Sequence, residues 1–401
     1  MMRIGTKLIR NELEILKQRM KQDRNLIQII YGPRQTGKTT LIAQFLRRTD
    51  LPSHLATAEA ISTQPDAWIS RQWETSRLLL AANKSSGAIL IIDEIQKIPN
   101  WSEQVKKERD ADSRMNLPLK VIIVCSSGSF DKQDLHNILP DRFEAIYVGH
   151  WTFVEMNAAF GYSPEQYVWF GGYPGAAPFI QDEIQWKSYV HSSLIETSIS
   201  MDILMLTRVD KPGLMRRFFE LGCQSSGQIL SYTKIMNRLQ DAGNTTTLAH
   251  YLHLLDGAGL LAGLEKFSRG TIRKRASSPK FQVQNTALLT ATQPESFSTI
   301  YANPSRWGRW VESCVGAHLI NACLKNQLTL HYWRHVNDEL DFVLSDGNKI
   351  IGIEVTTAFK HRKSGITAFS KTYHPDKMLT IGQDGLSWQE FIKLDPKSLL
   401  L

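Results

Sequence analysis

The sequence predicts an α/β protein: a parallel sheet in the first 165 residues, a helical middle, and a smaller α/β domain at the end. Three observations predict it. Up to about residue 150, short runs dense in Ile, Val and Leu alternate with helical patterns, as strands buried on both faces of a parallel sheet do. From about 175 to 265 the pattern is helical with few strand signals. Beyond that, a long helical stretch precedes three strand-like runs, a helix and a last run, which again reads as an α/β layer.

In chain order, Lys7–Gln22 reads as a helix with Leu8, Leu13, Ile15, Leu16 and Met20 on its apolar side. The strand runs are Leu26–Tyr31, His54–Thr57, Ala88–Ile92, Leu119–Val124 and Ala145–Val148; helices Thr40–Arg48, Asp66–Asn83 and Trp101–Arg114 fit between them. Gly171–Pro174 marks a boundary or hinge. Leu214–Leu221 begins a helix. Two short helices, Ser231–Leu239 and Thr246–Leu255, flank a turn at Gly243 and precede the apolar run Leu260–Leu264, a winged-helix-like order. The end reads as helix Arg309–Leu324, strands Thr329–Arg334, Leu340–Leu344 and Lys349–Val355, helix Ser364–Tyr373 and strand Lys377–Ile381. The expected domains are therefore 1–165, 166–274 and 275–401.

Composition narrows the class. With 401 residues, 42% of them hydrophobic, the chain has the material for two or three packed domains, which excludes wholesale disorder. No apolar run reaches the ~18 residues of a membrane span, and the charged N-terminus does not read as a signal peptide. Four scattered cysteines without a CxxC pair suggest free thiols in a cytoplasmic protein. The net charge of +8 invites a nucleic-acid partner. Its basic residues concentrate in two blocks: residues 1–50, and Lys266–Lys280 with Arg269, Arg273, Lys274 and Arg275. The second block is either a wing that touches phosphates or an exposed loop joining domains.

One nonapeptide carries the strongest chemistry. Gly32-Pro33-Arg34-Gln35-Thr36-Gly37-Lys38-Thr39-Thr40 matches G-x-x-x-x-G-K-[ST], with a strand before it and a helix after it. The glycines let the backbone wrap around phosphates, and successive N–H groups at a helix N-terminus face the anion. Lys38 would reach the β- and γ-phosphates, and the Thr39 hydroxyl would ligate Mg²⁺. The run Ala88–Ile92 ends in Asp93-Glu94. Asp93 at the strand tip would hold Mg²⁺, and Glu94 would orient and deprotonate a water. No Asn-Lys-x-Asp guanine element is present, so ATP is the expected nucleotide.

The segments GPRQTGKTT, LIIDEIQKIPNW, VIIVCSSGSF and LPDRFEAIYVGHWTFVEM, followed by GGYPG, resemble a group of prokaryotic AAA+ ATP-binding proteins. Their C-terminal half is a domain of unknown function with a restriction-endonuclease-like core. The resemblance implies a P-loop AAA+ sheet of five strands, a helical lid, and ATP with Mg²⁺. It also implies roles. Ser126 or Ser127 would sense the γ-phosphate, where the family usually has Thr-Gly-Ser-Ser and this chain has Val124-Cys125-Ser126-Ser127. Arg142 would contact phosphate in cis or reach a neighbour's nucleotide; a surface arginine paired with Asp141 or Glu144 is the alternative. Two departures stand out: His150-Trp151-Thr152 replaces Pro-Leu-Ser, and Gln284-Asn285-Thr286 replaces an Asp before Thr/Ser-Gly.

For the C-terminal domain the resemblance points to the PD-(D/E)xK nucleases, in which carboxylates hold Mg²⁺ and a lysine positions water. Glu312, Asp341 and Glu354 are the corresponding carboxylates, a possible second metal site, and strand alternation puts Asp341 and Glu354 on one side of the sheet. Thr356 stands where the lysine is expected, with Lys360 and Lys363 beyond the strand. The resulting expectation is a degenerate, non-cutting core; a nuclease with a relocated lysine and ordinary solvated carboxylates are the alternatives. The overall expectation is an ATP-hydrolysing switch coupled to a C-terminal effector or docking domain. An ATP-regulated DNA-binding protein or nuclease is the alternative, and a protein partner on the C-terminal domain and oligomerisation stay open.

Overall fold

The computed structural model describes residues 8–22, 26–59, 65–83, 87–129, 139–140, 142–239, 243–268, 277–356, 363–383 and 385–401. The chain parts into two compact units, residues 1–148 and 149–401. The first break thus falls ahead of the expected 165/166 boundary, and the last two expected domains share one unit.

The first unit is built on five parallel strands, β1 Ile27–Gly32, β2 Ser53–Thr57, β3 Ala88–Asp93, β4 Leu119–Ser126 and β5 Phe143–Tyr147, in the order β2-β3-β4-β1-β5. The apolar density of the runs has its cause here, because side chains alternate between two covered faces. Ile29, Leu90, Ile92 and Ile123 join Trp73 in one core. Ile30, Ile91, Ile122 and Val124 meet Leu13, Leu16 and Phe45 in the other. Helix α1, Asn11–Lys21, supplies Leu13 and Leu16; α2, Lys38–Leu46, supplies Phe45; α3, Pro65–Asn83, supplies Trp73. Helix α4, Trp101–Arg114, buries Asp112 beneath α3. That charge is compensated: Asp112 accepts from Trp73 Nε1 at 2.7 Å and from Arg77 Nε at 2.8 Å. In parallel register Gly32 pairs with Ser126 and Asp93 with Val124. The predicted phosphate loop, Asp93 and Ser126 therefore end at one edge of the sheet.

The second unit starts with short capped helices. Thr152 and Ser163 each close a capping box, with Glu155 and Gln166. Gly171–Pro174 lies inside this unit rather than at the break between units. Gly171 has φ 68°, and a Cβ there would stand 2.0 Å from Asn285 Oδ1, so the glycine is demanded by close packing. Helices Pro212–Gln224, Tyr232–Met236 and Thr245–Gly257 precede an antiparallel pair, β6 Leu261–Leu264 and β7 Lys280–Val283, with Ile229 bridging to Lys280. This is the winged-helix-like order with one strand more than expected. Strand β7 is buried along its length, which corrects the reading of Lys280 as part of an exposed block. Arg269, Arg273, Lys274 and Arg275 lie outside the described residues.

Helix Pro304–Asn326 leads into a mixed sheet whose strands lie in the order Lys377–Gly382 (β11), Ile350–Thr356 (β10), Asp338–Ser345 (β9) and Thr329–His335 (β8). Strands β8 Thr329–His335, β9 Asp338–Ser345 and β10 Ile350–Thr356 are antiparallel neighbours. Helix Lys363–Tyr373 then carries the chain over to β11, Lys377–Gly382, parallel to β10, because a parallel return needs a crossover. Phe267, Trp333, Leu340, Val343 and Phe369 fill the core beneath that helix. All four cysteines are buried and free. Among the described residues no helix is long and apolar enough to cross a membrane.

Candidate nucleotide site and carboxylate cluster

The Gly32–Thr40 loop joins β1 to α2. Gly37 caps α2 at φ 96°, a left-handed conformation that glycine adopts without strain. Gly32 is required for a different reason. A Cβ there would stand 2.0 Å from the carbonyl oxygen of Val148, just past β5. The loop is pinned from behind. Thr36 is fully buried, and its hydroxyl donates to Pro33 O at 3.0 Å or Val148 O at 2.9 Å. Arg10, at the start of α1, donates to Thr36 O at 3.2 Å. Part of the first basic block thus holds the loop in shape. Arg34 is half-buried, and Gln35, at φ 60°, Thr39 and Thr40 are exposed.

The predicted reactive groups assemble around this loop. Lys38 is folded onto the loop's own carbonyls, donating to Gly32 O at 2.9 Å and Pro33 O at 2.8 Å. Thr39 Oγ1 donates to Asp93 Oδ2 at 3.1 Å across 54 residues of sequence. Burial pushes the Asp93 carboxyl above its ordinary value, against the Thr39 hydrogen bond, the Glu94 amide and the Lys38 charge. A hydroxyl and a carboxylate side by side are hard oxygen donors of the kind Mg²⁺ takes from a protein when phosphates supply the rest, so the residues fit the ion. Glu94 sits in a left-handed conformation at φ 58°. Its Oε2 lies 3.6 Å from Arg34 Nη2 and 3.8 Å from Lys97 Nζ, and accepts from Gln96 Nε2 at 3.0 Å. Gln96 also reaches Ser126 Oγ at 3.5 Å, so it links the predicted reactive positions just past β3 and at the end of β4. Ser126 is buried.

Sequence reasoning missed Gln96, Arg10 and the structural use of Thr36. Their partners lie far along the chain, except that Gln96 follows Glu94 by two residues, a polar position whose spacing is the one local signal for it. Arg142 is not brought to the loop by any contact among the described residues; it pairs with Asp110 of α4. The alternative partners named for it are otherwise placed. Glu144 pairs with Arg19 at 3.5 Å, and Asp141 lies outside the described residues.

In the second unit Glu312, Asp341 and Glu354 do converge, and all are buried. Asp341 Oδ2 accepts from Val355 N at 2.9 Å, and Glu354 Oε2 accepts from Asp341 N at 3.4 Å. The cation among them is Lys280, whose Nζ donates to Glu312 Oε1 at 2.8 Å and Asp341 Oδ1 at 3.3 Å. Among the described residues no group of three or more His, Cys, Asp or Glu side chains is arranged to hold a metal ion. The trio gathers, with Lys280 beside two of its members. Thr356, in the expected lysine position, donates to Ile381 O at 3.2 Å. Lys360 lies outside the described residues.

Comparison with known proteins fits this division. Residues 24–157 match the family described as "AAA domain", residues 162–297 a domain of unknown function (DUF8612), and residues 307–392 another (DUF4143). An uncharacterized protein of Mycobacterium tuberculosis is 26% identical over 362 residues, covering 88% of this chain and 75% of the relative. One from Haemophilus influenzae is 21% identical over 352 residues, covering 83% of each. Among solved structures, a Walker-type ATPase of Pyrococcus abyssi superposes with TM-score 0.45 at 14% identity, covering 70% of this chain and 94% of that one. The Orc1 protein of Aeropyrum pernix in complex with DNA superposes with TM-score 0.31 at 14% identity, covering 72% and 92%. Residues 24–157 are thus similar to AAA domains and residues 307–392 to the DUF4143 domain.

Proposed function

We propose that the first unit binds ATP with Mg²⁺ and hydrolyses it, as a switch whose nucleotide state governs the C-terminal part as an effector or docking domain. The observation that carries the reading is the Thr39–Asp93 contact at 3.1 Å, with Lys38 and Glu94 at the same sheet edge. Lys38 exchanges its two loop carbonyls for phosphate oxygens, a charge-assisted gain. The loop's N–H groups hold the phosphates, and Mg²⁺ held by Thr39 and Asp93 would neutralise their charge. Glu94 orients a water toward the terminal phosphorus and takes its proton. Ser126, within reach of Gln96, is assigned a supporting role at the γ-phosphate, and Arg142, paired with Asp110 in its own chain, the role of reaching a neighbour's nucleotide.

Nucleotide binding and phosphate release by wild type, Lys38→Ala and Glu94→Gln test this. Lys38→Ala is expected to lose ATP binding. Glu94→Gln is expected to keep binding and lose about 10²–10⁴-fold in turnover, the usual worth of a general base. Unchanged phosphate release from Glu94→Gln would overturn the assignment.

A second reading, ATP-regulated DNA binding, is favoured by one observation: two short helices followed by the β6–β7 pair with the Ile229 bridge. The measurement is duplex DNA binding across a salt series with and without ATP. Absence of binding at low salt, or binding insensitive to salt, rules it out.

A further inference from the structure

We propose that Lys280 is the built-in cation of the Glu312–Asp341–Glu354 cluster, standing where a divalent ion would otherwise be needed and joining the winged-helix-like part to the C-terminal sheet. Lys280 opens β7 and has no solvent exposure. A buried ammonium is stable only when its charge and its three N–H donors are matched. Three acceptors converge on it: Glu312 Oε1 at 2.8 Å, Asp341 backbone O at 3.2 Å and Asp341 Oδ1 at 3.3 Å. The ring of Phe342 adds a face 4.6 Å from Nζ. The Glu312 contact has the length of a charge-assisted N⁺–H···O⁻ bond, and the two Asp341 contacts are longer.

The carboxylates cannot drift away from the ammonium. Asp341 is held from the other side by the Val355 amide at 2.9 Å. Glu312 rests against Gly227, where even a Cβ would come within 3.2 Å of its Oε1. The lysine also belongs to a different part of the chain from its partners. It lies within residues 162–297, matched to one family, whereas Glu312, Asp341 and Glu354 lie within residues 307–392, matched to another. One side chain therefore brings a positive charge to two of the three carboxylates and fastens the two parts together.

The experiment is Mn²⁺ titration of the full-length chain without nucleotide, read by electron paramagnetic resonance. The background is Asp93→Asn, which removes the metal carboxylate of the first unit. With Lys280 present, no stoichiometric Mn²⁺ binding is expected, and melting is the same in EDTA and in Mn²⁺. One bound equivalent here overturns the proposal whatever the fate of the lysine variants. Lys280→Ala is expected to melt lower in EDTA, to gain one Mn²⁺ equivalent that restores melting, and to lose it again in Lys280→Ala/Asp341→Asn. Lys280→Met keeps the length of the stem and serves if the alanine variant does not accumulate. A folded lysine variant that binds no Mn²⁺ and melts like its parent also overturns the proposal.

Discussion

Gly32→Ala tests whether the phosphate loop is shaped by its neighbour strand as much as by its ligand. An added Cβ would lie 2.0 Å from Val148 O, 2.8 Å from Val148 C and 3.4 Å from Val148 Cα. These three nearest atoms are all backbone, so no side-chain rotation relieves the clash with them. Relief requires β1 and the end of β5 to part by more than an ångström. That loosens Val148 N→Tyr31 O at 2.8 Å and the Thr36 hydroxyl bond to Val148 O at 2.9 Å. Overpacking costs about 1–3 kcal/mol and a weakened hydrogen bond about 1 kcal/mol, so the first unit should lose about 2–4 kcal/mol. For a unit of this size that is a fall of roughly 5–15 °C in melting temperature. The assay is a thermal melt with and without ATP, in which bound ligand raises the transition by mass action. Gly32→Ala should melt lower and lose most of the ATP-induced rise. Gly213→Ala is the contrast: nothing lies within 4 Å of its added Cβ, and in a helix it should be neutral or slightly stabilising. A Gly32→Ala protein that melts and binds ATP like wild type refutes the packing argument.

Three further outcomes are expected. Asp112→Ala removes the acceptor shared by Trp73 and Arg77 and should cost about 3–5 kcal/mol, the usual penalty for breaking a buried pair, measured by denaturant unfolding of the first unit. His150 Nδ1 and Asn285 Nδ2 lie 3.2 Å apart; a double-mutant cycle on His150→Ala and Asn285→Ala should give a coupling of about 0.5–3 kcal/mol, and strictly additive effects would deny the contact. Burial holds His318 below its ordinary 6.5, against its hydrogen bond to Leu394 O. A base with a lowered folded value stabilises fully above its unfolded value, and that contribution is lost as pH falls through the folded one. Melting temperature should therefore decline below about pH 6.5, and His318→Gln should flatten that slope.

The nucleotide site was legible because its parts are local. A strand, nine loop residues and a helix bring phosphate-binding amides together with no help from distant sequence, and the Asp93-Glu94 pair closes a strand whose apolar run is unmistakable. What surrounds the site was not legible, because it depends on pairing across the chain. Thr36 enters the reading as one residue of a loop whose N–H groups face phosphate; its hydroxyl is committed to Pro33 and to Val148, 112 residues away. Arg142, which the resemblance puts at phosphate in cis or at a neighbour's nucleotide, meets Asp110 on α4 within its own chain. The two departures at His150 and Asn285 had no visible connection in sequence. They touch each other, and Asn285 Oδ1 accepts from Gly172 N at 3.1 Å, so the substitutions form one packed junction.

Lys280 shows why patterning fails at a polar layer. In β7 the order Lys280, Phe281, Gln282, Val283 alternates polar and apolar residues, which normally means one solvated face. Both polar residues nevertheless have no exposure. The face they form packs on helix Pro304–Asn326, itself polar at the point of contact. Lys280 meets Glu312, Gln282 donates to Ser313 O at 2.8 Å, and the Ser226 and Ser313 hydroxyls meet at 2.8 Å. Gly316 completes the fit, since a Cβ there would stand 2.3 Å from Gln282 Oε1. Hydrophobic periodicity finds a core only where the core is apolar; a buried layer closed by hydrogen bonds and one ion cluster carries the pattern of a surface. The net charge of +8 carries the same ambiguity. It counts Lys280 among the charges open to a nucleic acid, whereas that ammonium is enclosed by carboxylates of its own chain. Of the basic block that suggested a DNA-binding wing, its last member belongs to the joint between two parts of the second unit.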